Sequence, residues 1–166
     1  MGSSFFLFLL LLLSCVCSVS SATCSFSKDN VKSNWKVVNG ALQINFENIG
    51  ISNEQWTGVA FGSEMSSLSV ILLLVENNQV SIRTGRTTGY SPPALDAQSV
   101  ASLQTANLSG RTLNALITVP LTFNGVDLQS CQTWNFVQAG TIVGGGIGQH
   151  TSRPDQVNDV CAAQCT

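Results

Sequence analysis

Apolar and polar side chains alternate along much of the chain. Leu42, Ile44 and Phe46 keep one phase of a period-two pattern, and Leu113, Ala115, Ile117 and Val119 keep another. A strand turns successive side chains to opposite faces, so both segments are predicted as half-buried strands. Val70 to Val75 is instead unbroken Val, Ile and Leu, the mark of a strand buried on both faces. The polar stretch Glu76-Asn77-Asn78-Gln79 then offers a turn before Val80-Ser81-Ile82-Arg83, and a hairpin is expected. Trp56 to Phe61 and Trp134 to Ala139 supply two aromatic-rich strands, with Asn39-Gly40, Ser109-Gly110 and Asn124-Gly125 as turns. Apolar residues at helical spacing are missing from every long window; only short turns are expected, after Pro92-Pro93 and near Val157 to Ala163. The fold class predicted is all-β, a mostly antiparallel β-sandwich with Trp56 and Trp134 in the core between facing sheets.

The start of the chain changes the compartment. Phe5 to Val16 is apolar apart from Ser14 and Cys15, and small residues follow up to Ala22. Residues 1–22 are read as a secretory signal peptide cut after Ala22, too short a run to span a bilayer. Met1-Gly2 suggests myristoylation, but Phe6 stands where that motif wants Ser or Thr. Residues 23–166 remain as a single domain of adequate size for its own core. With 7 Lys/Arg against 9 Asp/Glu, a net charge of −2 and no like-charged block, nothing attracts nucleic acid or an anionic membrane. A soluble, extracellular product without a membrane anchor is expected. Four cysteines, Cys24, Cys131, Cys161 and Cys165, stay in the oxidising compartment and predict two disulfides, in any of three pairings. Zinc would need closely spaced pairs, and only Cys161 and Cys165 are close. Asn107-Leu108-Ser109 is an N-glycosylation sequon beside a turn.

Candidate chemistry is narrowed by scarcity. Residues 23–166 hold one histidine, His150, and one methionine, Met65. No G-x-S-x-G elbow accompanies the histidine, and one imidazole cannot make a three-ligand zinc site. Gly144-Gly145-Gly146-Ile147-Gly148 matches neither a dinucleotide nor a P-loop pattern and is read as flexible backbone. Nine scattered carboxylates point to no particular acid/base pair. What remains is a soft thioether after Gly62 and an imidazole after a glycine run, a donor pair that suits low-spin haem iron.

The segment Trp56-Thr57-Gly58-Val59-Ala60-Phe61-Gly62-Ser63-Glu64-Met65 resembles the DOMON pattern of a tryptophan-led strand, a glycine turn and a methionine. Leu68 to Val75, the Tyr90 loop before Pro92-Pro93, and Trp134 to Gly140 leading on to His150 follow in the family's order. The resemblance covers most of Asn34 to His150 and implies an immunoglobulin-like β-sandwich. Haem-binding members, similar to the cytochrome domain of cellobiose dehydrogenase and to plant secreted DOMON cytochromes, use a Met and a His as axial ligands. Carried over, these are Met65 and His150 around haem b, with Tyr90, Arg83, Arg86 or Arg153 holding the propionates. The flavin domain and membrane cytochrome helices found beside other DOMON domains have no match here, so a separate redox partner is expected. The tail from Arg153 to Thr166 has no recognised counterpart in the haem-binding members.

Two functions follow. The first is a haem-binding electron carrier, which is not an enzyme, because iron held on both sides has no open position. The alternative is a cofactor-free extracellular module that binds carbohydrate or protein through Trp56, Tyr90 and the neighbouring loops.

Overall fold

The computed structural model describes residues 23–166, so the expected signal peptide lies outside them. In chain order the strands are β1 (Ser25–Lys28), β2 (Val31–Val38), β3 (Ala41–Asn48), β4 (Gln55–Phe61), β5 (Ser69–Glu76), β6 (Gln79–Arg86) and β7 (Ala94–Leu95). There follow β8 (Ser102–Ser109), β9 (Thr112–Pro120), β10 (Thr122–Phe123), β11 (Val126–Asp127), β12 (Gln132–Val143), β13 (Gly146–His150) and β14 (Asp155–Val160). One sheet has the order β1-β2-β3-β9-β8 and the other β13-β12-β4-β5-β6-β7, every pairing antiparallel. β14 also pairs with β12, along its first half, while β13 pairs with the second half. The predicted β-sandwich is the observed fold.

Alternation decides what faces inward. Leu42, Ile44 and Phe46 of β3 and Leu113, Ala115, Ile117 and Val119 of β9 are all buried against the opposite sheet. There they meet Val59 and Phe61 of β4, Ile71, Leu73 and Val75 of β5, and Trp134 and Phe136 of β12. Aromatic rings fill the centre: Trp35 lies 4.5 Å from Trp134 between centroids, and Phe61 meets Trp134 edge-on at 4.9 Å. Such pairs each add about 0.5–1.5 kcal/mol beyond area burial. The small β10-β11 hairpin contributes Phe123, fully buried and edge-on to Phe61.

Turn chemistry matches the hairpins. Asn39-Gly40, Asn77-Asn78, Asn124-Gly125 and Gly144-Gly145 have positive φ at both positions, as a two-residue type I′ connection requires. The last pair corrects one expectation: the Gly144–Gly148 run is an ordered hairpin turn and the strand after it. Two other local expectations also change. Ala94–Leu95 after the proline pair is a short strand, and Val157 lies in β14, with a 3-10 turn only at Ala162–Gln164.

Disulfides join Cys24 to Cys165 and Cys131 to Cys161. The first closes nearly the whole domain, and the second ties the start of β12 to the end of β14.

Candidate functional site

A second apolar cluster lies on the outer face of the larger sheet, behind the core. The odd residues of β5 point inward, and its even residues, Val70, Leu72 and Leu74, point outward yet are no more than 5% exposed. Cross-strand register places Trp56, Gly58 and Ala60 of β4 on that same outer face, opposite Leu74, Leu72 and Val70. Asn135 and Val137 of β12 continue the row, paired with Ala60 and Gly58. Small residues on β4 between larger neighbours hollow the face into a groove of about 810 Å³. That volume lies within the range of small-molecule and cofactor sites.

Three loops raise the walls. Residues 63–66 after β4 bring Met65, half-buried and packed on the outer cluster. The loop after β6 brings Thr87, Tyr90 and the proline pair. The third wall is the end of β13 with His150, then Arg153, Pro154 and Gln156 of the tail. Hydrogen bonds fix these walls. Leu68 N–H donates to the Thr87 hydroxyl and Thr87 N–H to the Leu68 carbonyl, both at 2.9 Å, which couples the first two loops. The Asn135 amide donates to the Gly62 carbonyl at 2.8 Å and accepts from Gln156 at 3.1 Å, which joins the Met65 loop to the tail. Beyond His150, the Thr151 N–H and hydroxyl both reach the Ala139 carbonyl.

Met65 and His150 therefore line one groove. Tyr90 stands at its mouth with 97% of its surface exposed, and Arg153 is exposed on the same rim. Arg83 is exposed opposite Leu72, on the groove's side of the sheet but outside its lining. Arg86 has its guanidinium against Gly125, and its register partner is the inward-facing side of β5, so it is remote from the groove. Asn107 is exposed on the edge strand β8 of the other sheet. Trp134 is in the central core as expected, but Trp56 is not: it faces outward and walls the groove. The sequence reading also missed Asn135, Thr87 and Gln156. One signal for such a site was present, since a sandwich strand apolar on both faces needs a cover or a ligand on its outer one.

The groove's titratable lining residues are Glu64, Tyr90, His150 and Arg153. Nearby, Asp155 at the start of β14 is pushed up by burial, but hydrogen bonds from Lys28 and Gln138, with the Lys28 charge, outweigh this and hold its carboxyl below the ordinary range. No group of three or more His, Cys, Asp or Glu among the described residues gathers as a metal site, and the four cysteines there are disulfide-bonded.

The sequence profile of the DOMON domain matches residues 27–140. The chain belongs to the DOMON family. Among its relatives, DOMON domain-containing protein Y73F4A.2 of Caenorhabditis elegans is 34% identical over 152 residues, covering 88% of this chain and 90% of the relative. DOMON domain-containing protein CBG21755 of Caenorhabditis briggsae is 34% identical over 164 residues, covering 95% and 89%. In fold, this DOMON chain is similar to the cytochrome domain of Myriococcum thermophilum cellobiose dehydrogenase. The TM-score is 0.61 at 11% identity, over 86% of this chain and 88% of that one.

Proposed function

We propose that this DOMON protein works outside the cell as an electron carrier that holds a b-type haem in the groove, with Met65 and His150 as its axial ligands. One observation carries the reading: the single thioether among the described residues and the chain's single imidazole, far apart in sequence, line the same apolar groove. The groove fits such a group on its own terms. Its floor of Ala60, Val70, Leu72 and Val137 suits a porphyrin face, and Arg153 and Tyr90 at the mouth suit carboxylates. Likeness to a cytochrome domain supports the same assignment.

Haem would supply a one-electron couple, raised in potential by the thioether. The chain's residues do the rest. The floor excludes water, the Thr87–Leu68 and Asn135–Gly62 bonds hold the walls at fixed spacing, and Arg153 supplies positive charge at the rim. Met65 and His150 would hold such a group between them, for electron exchange with a redox protein.

Secretion is supported by the two disulfides and by the signal peptide expected over residues 1–22. The same compartment makes Asn107, exposed on β8, an acceptor for an N-linked glycan. Expression through a eukaryotic secretory pathway with haem available tests both. The expected product is red, with sharp low-spin bands on reduction that are lost or converted in Met65→Ala and His150→Ala. It also shows an endoglycosidase-sensitive mass that Asn107→Gln abolishes. A colourless product tolerant of both axial substitutions overturns the cofactor and leaves the groove to carbohydrate or protein. An unshifted mass removes the glycan.

A further inference from the structure

Trp56, Gly140 and His150 form one row across three adjacent strands. Trp56 of β4 is the register partner of Gly140 on β12, and Gly140 is in turn the partner of His150 on β13. Partners in an antiparallel ladder share a face, so all three point to the outer side of the sheet. The middle position has no side chain, and the indole of Trp56 uses that space. Ring atoms Cε2, Nε1 and Cζ2 lie where a Cβ on residue 140 would be. Leaning across β12, the ring extends its N–H to the Gly148 carbonyl at 3.1 Å, two residues before His150. Trp56 is 6% exposed and Gly148 half-buried, so this hydrogen bond is partly shielded from competing water.

We infer that Trp56 is the positioning residue for His150: through its bond to Gly148 and its seat over Gly140, it fixes the strand that presents the imidazole to the groove. This rests on the haem reading above and deepens it. β13 needs such a brace. It is a five-residue edge strand, and its pairing with β12 is interrupted by a register shift between Gly140 and Ile142. Its ladder and the Thr151 bonds to the Ala139 carbonyl hold the His150 end to β12 alone. The Trp56 bond ties β13 instead to β4, which is hydrogen-bonded on both sides at the centre of the sheet.

Trp56→Phe keeps a ring over Gly140 and removes only the donor. In the haem-loaded, full-length secreted protein it should fold normally by circular dichroism. Loss of one hydrogen bond of ordinary strength predicts haem transfer to apomyoglobin about five- to tenfold faster. A high-spin fraction should appear in the oxidised spectrum and be abolished by added imidazole, which replaces a mispositioned ligand. Trp134→Phe is the control for simple loss of packing, since that ring lies in the central core; it should lower the melting temperature without changing spin state. His150→Ala separates the two levels of inference. If His150→Ala alters the spectrum while Trp56→Phe matches the wild type in spin state and transfer rate, Trp56 has no positioning role. If His150→Ala also matches the wild type, or the wild type takes up no haem, the cofactor reading falls and this inference with it.

Discussion

At the scale of single residues, one charged side chain holds the tail to the body of the domain. Asp155 opens β14, where Lys28 from the end of β1 and the Gln138 amide both donate to it. Its side chain is 11% exposed while that of Lys28 is 59% exposed, so screening on the lysine side keeps the pair modest. The folded carboxyl titrates below its ordinary value, so its stabilisation is fully present above about pH 4 and is lost as pH falls through the depressed folded value. Asp155→Asn should therefore cost up to about 1 kcal/mol at neutral pH and nothing in strong acid. Urea denaturation at a series of pH values checks this; parallel curves for the two proteins at all pH values would show that the carboxylate is not the tether.

At the scale of the element, β5 carries two structures on one strand. Leu73 faces the core and is fully buried, whereas Leu72 faces the groove. Leu73→Ala should cost about 2–5 kcal/mol, because the void is enclosed. Leu72→Ala should cost nearer 1–2 kcal/mol, because the site is already open and only transfer energy is lost. It should weaken binding in the groove more than Leu73→Ala does. Equal losses of stability, with ligand affinity unchanged in both, would mean the outer face is ordinary core. The unbroken run from Val70 to Val75 made this double burial legible from the residues. Alternation also gave β3 and β9, and the Asn-Gly pairs gave the β2–β3 and β10–β11 turns, because strand faces and I′ turns depend on local sequence alone. The placing of Trp56 was not legible. Which face a strand turns inward depends on the phase of its neighbours, and here Gly58 and Ala60 put the indole outside while Val59 and Phe61 go in. Nor could the sequence separate Arg153, at the rim, from Arg86, on the far face: an exposed arginine carries no mark of the loop it will stand beside.

At the scale of the whole molecule, the DOMON match ends at residue 140, while His150, β13 and β14 lie beyond it. What keeps that segment on the sheet is partly covalent. Four cysteines permitted three pairings, and spacing could not choose between them, because loop closure over the whole domain depends on where the two ends meet in space. In the chain-entropy description, Cys24–Cys165, with a separation of 141, contributes about 5 kcal/mol, and Cys131–Cys161, with a separation of 30, roughly 3.5 kcal/mol. The two act in different places. Cys24–Cys165 joins the ends of the described chain, so replacing both with serine should lower the urea midpoint of the whole domain without selectively opening the groove. Cys131–Cys161 anchors the far end of the strand whose start carries Gln156 into the groove wall. Its removal should lower the midpoint less but should raise amide exchange across 155–160 and weaken groove binding beyond the loss of global stability. Hydrogen exchange and urea melts on the two double-serine variants decide between these roles. Uniform exchange in both would mean that β14 pairing and the Asp155 and Gln156 side-chain bonds hold the tail without the disulfide, and that the second disulfide adds stability without shaping the site.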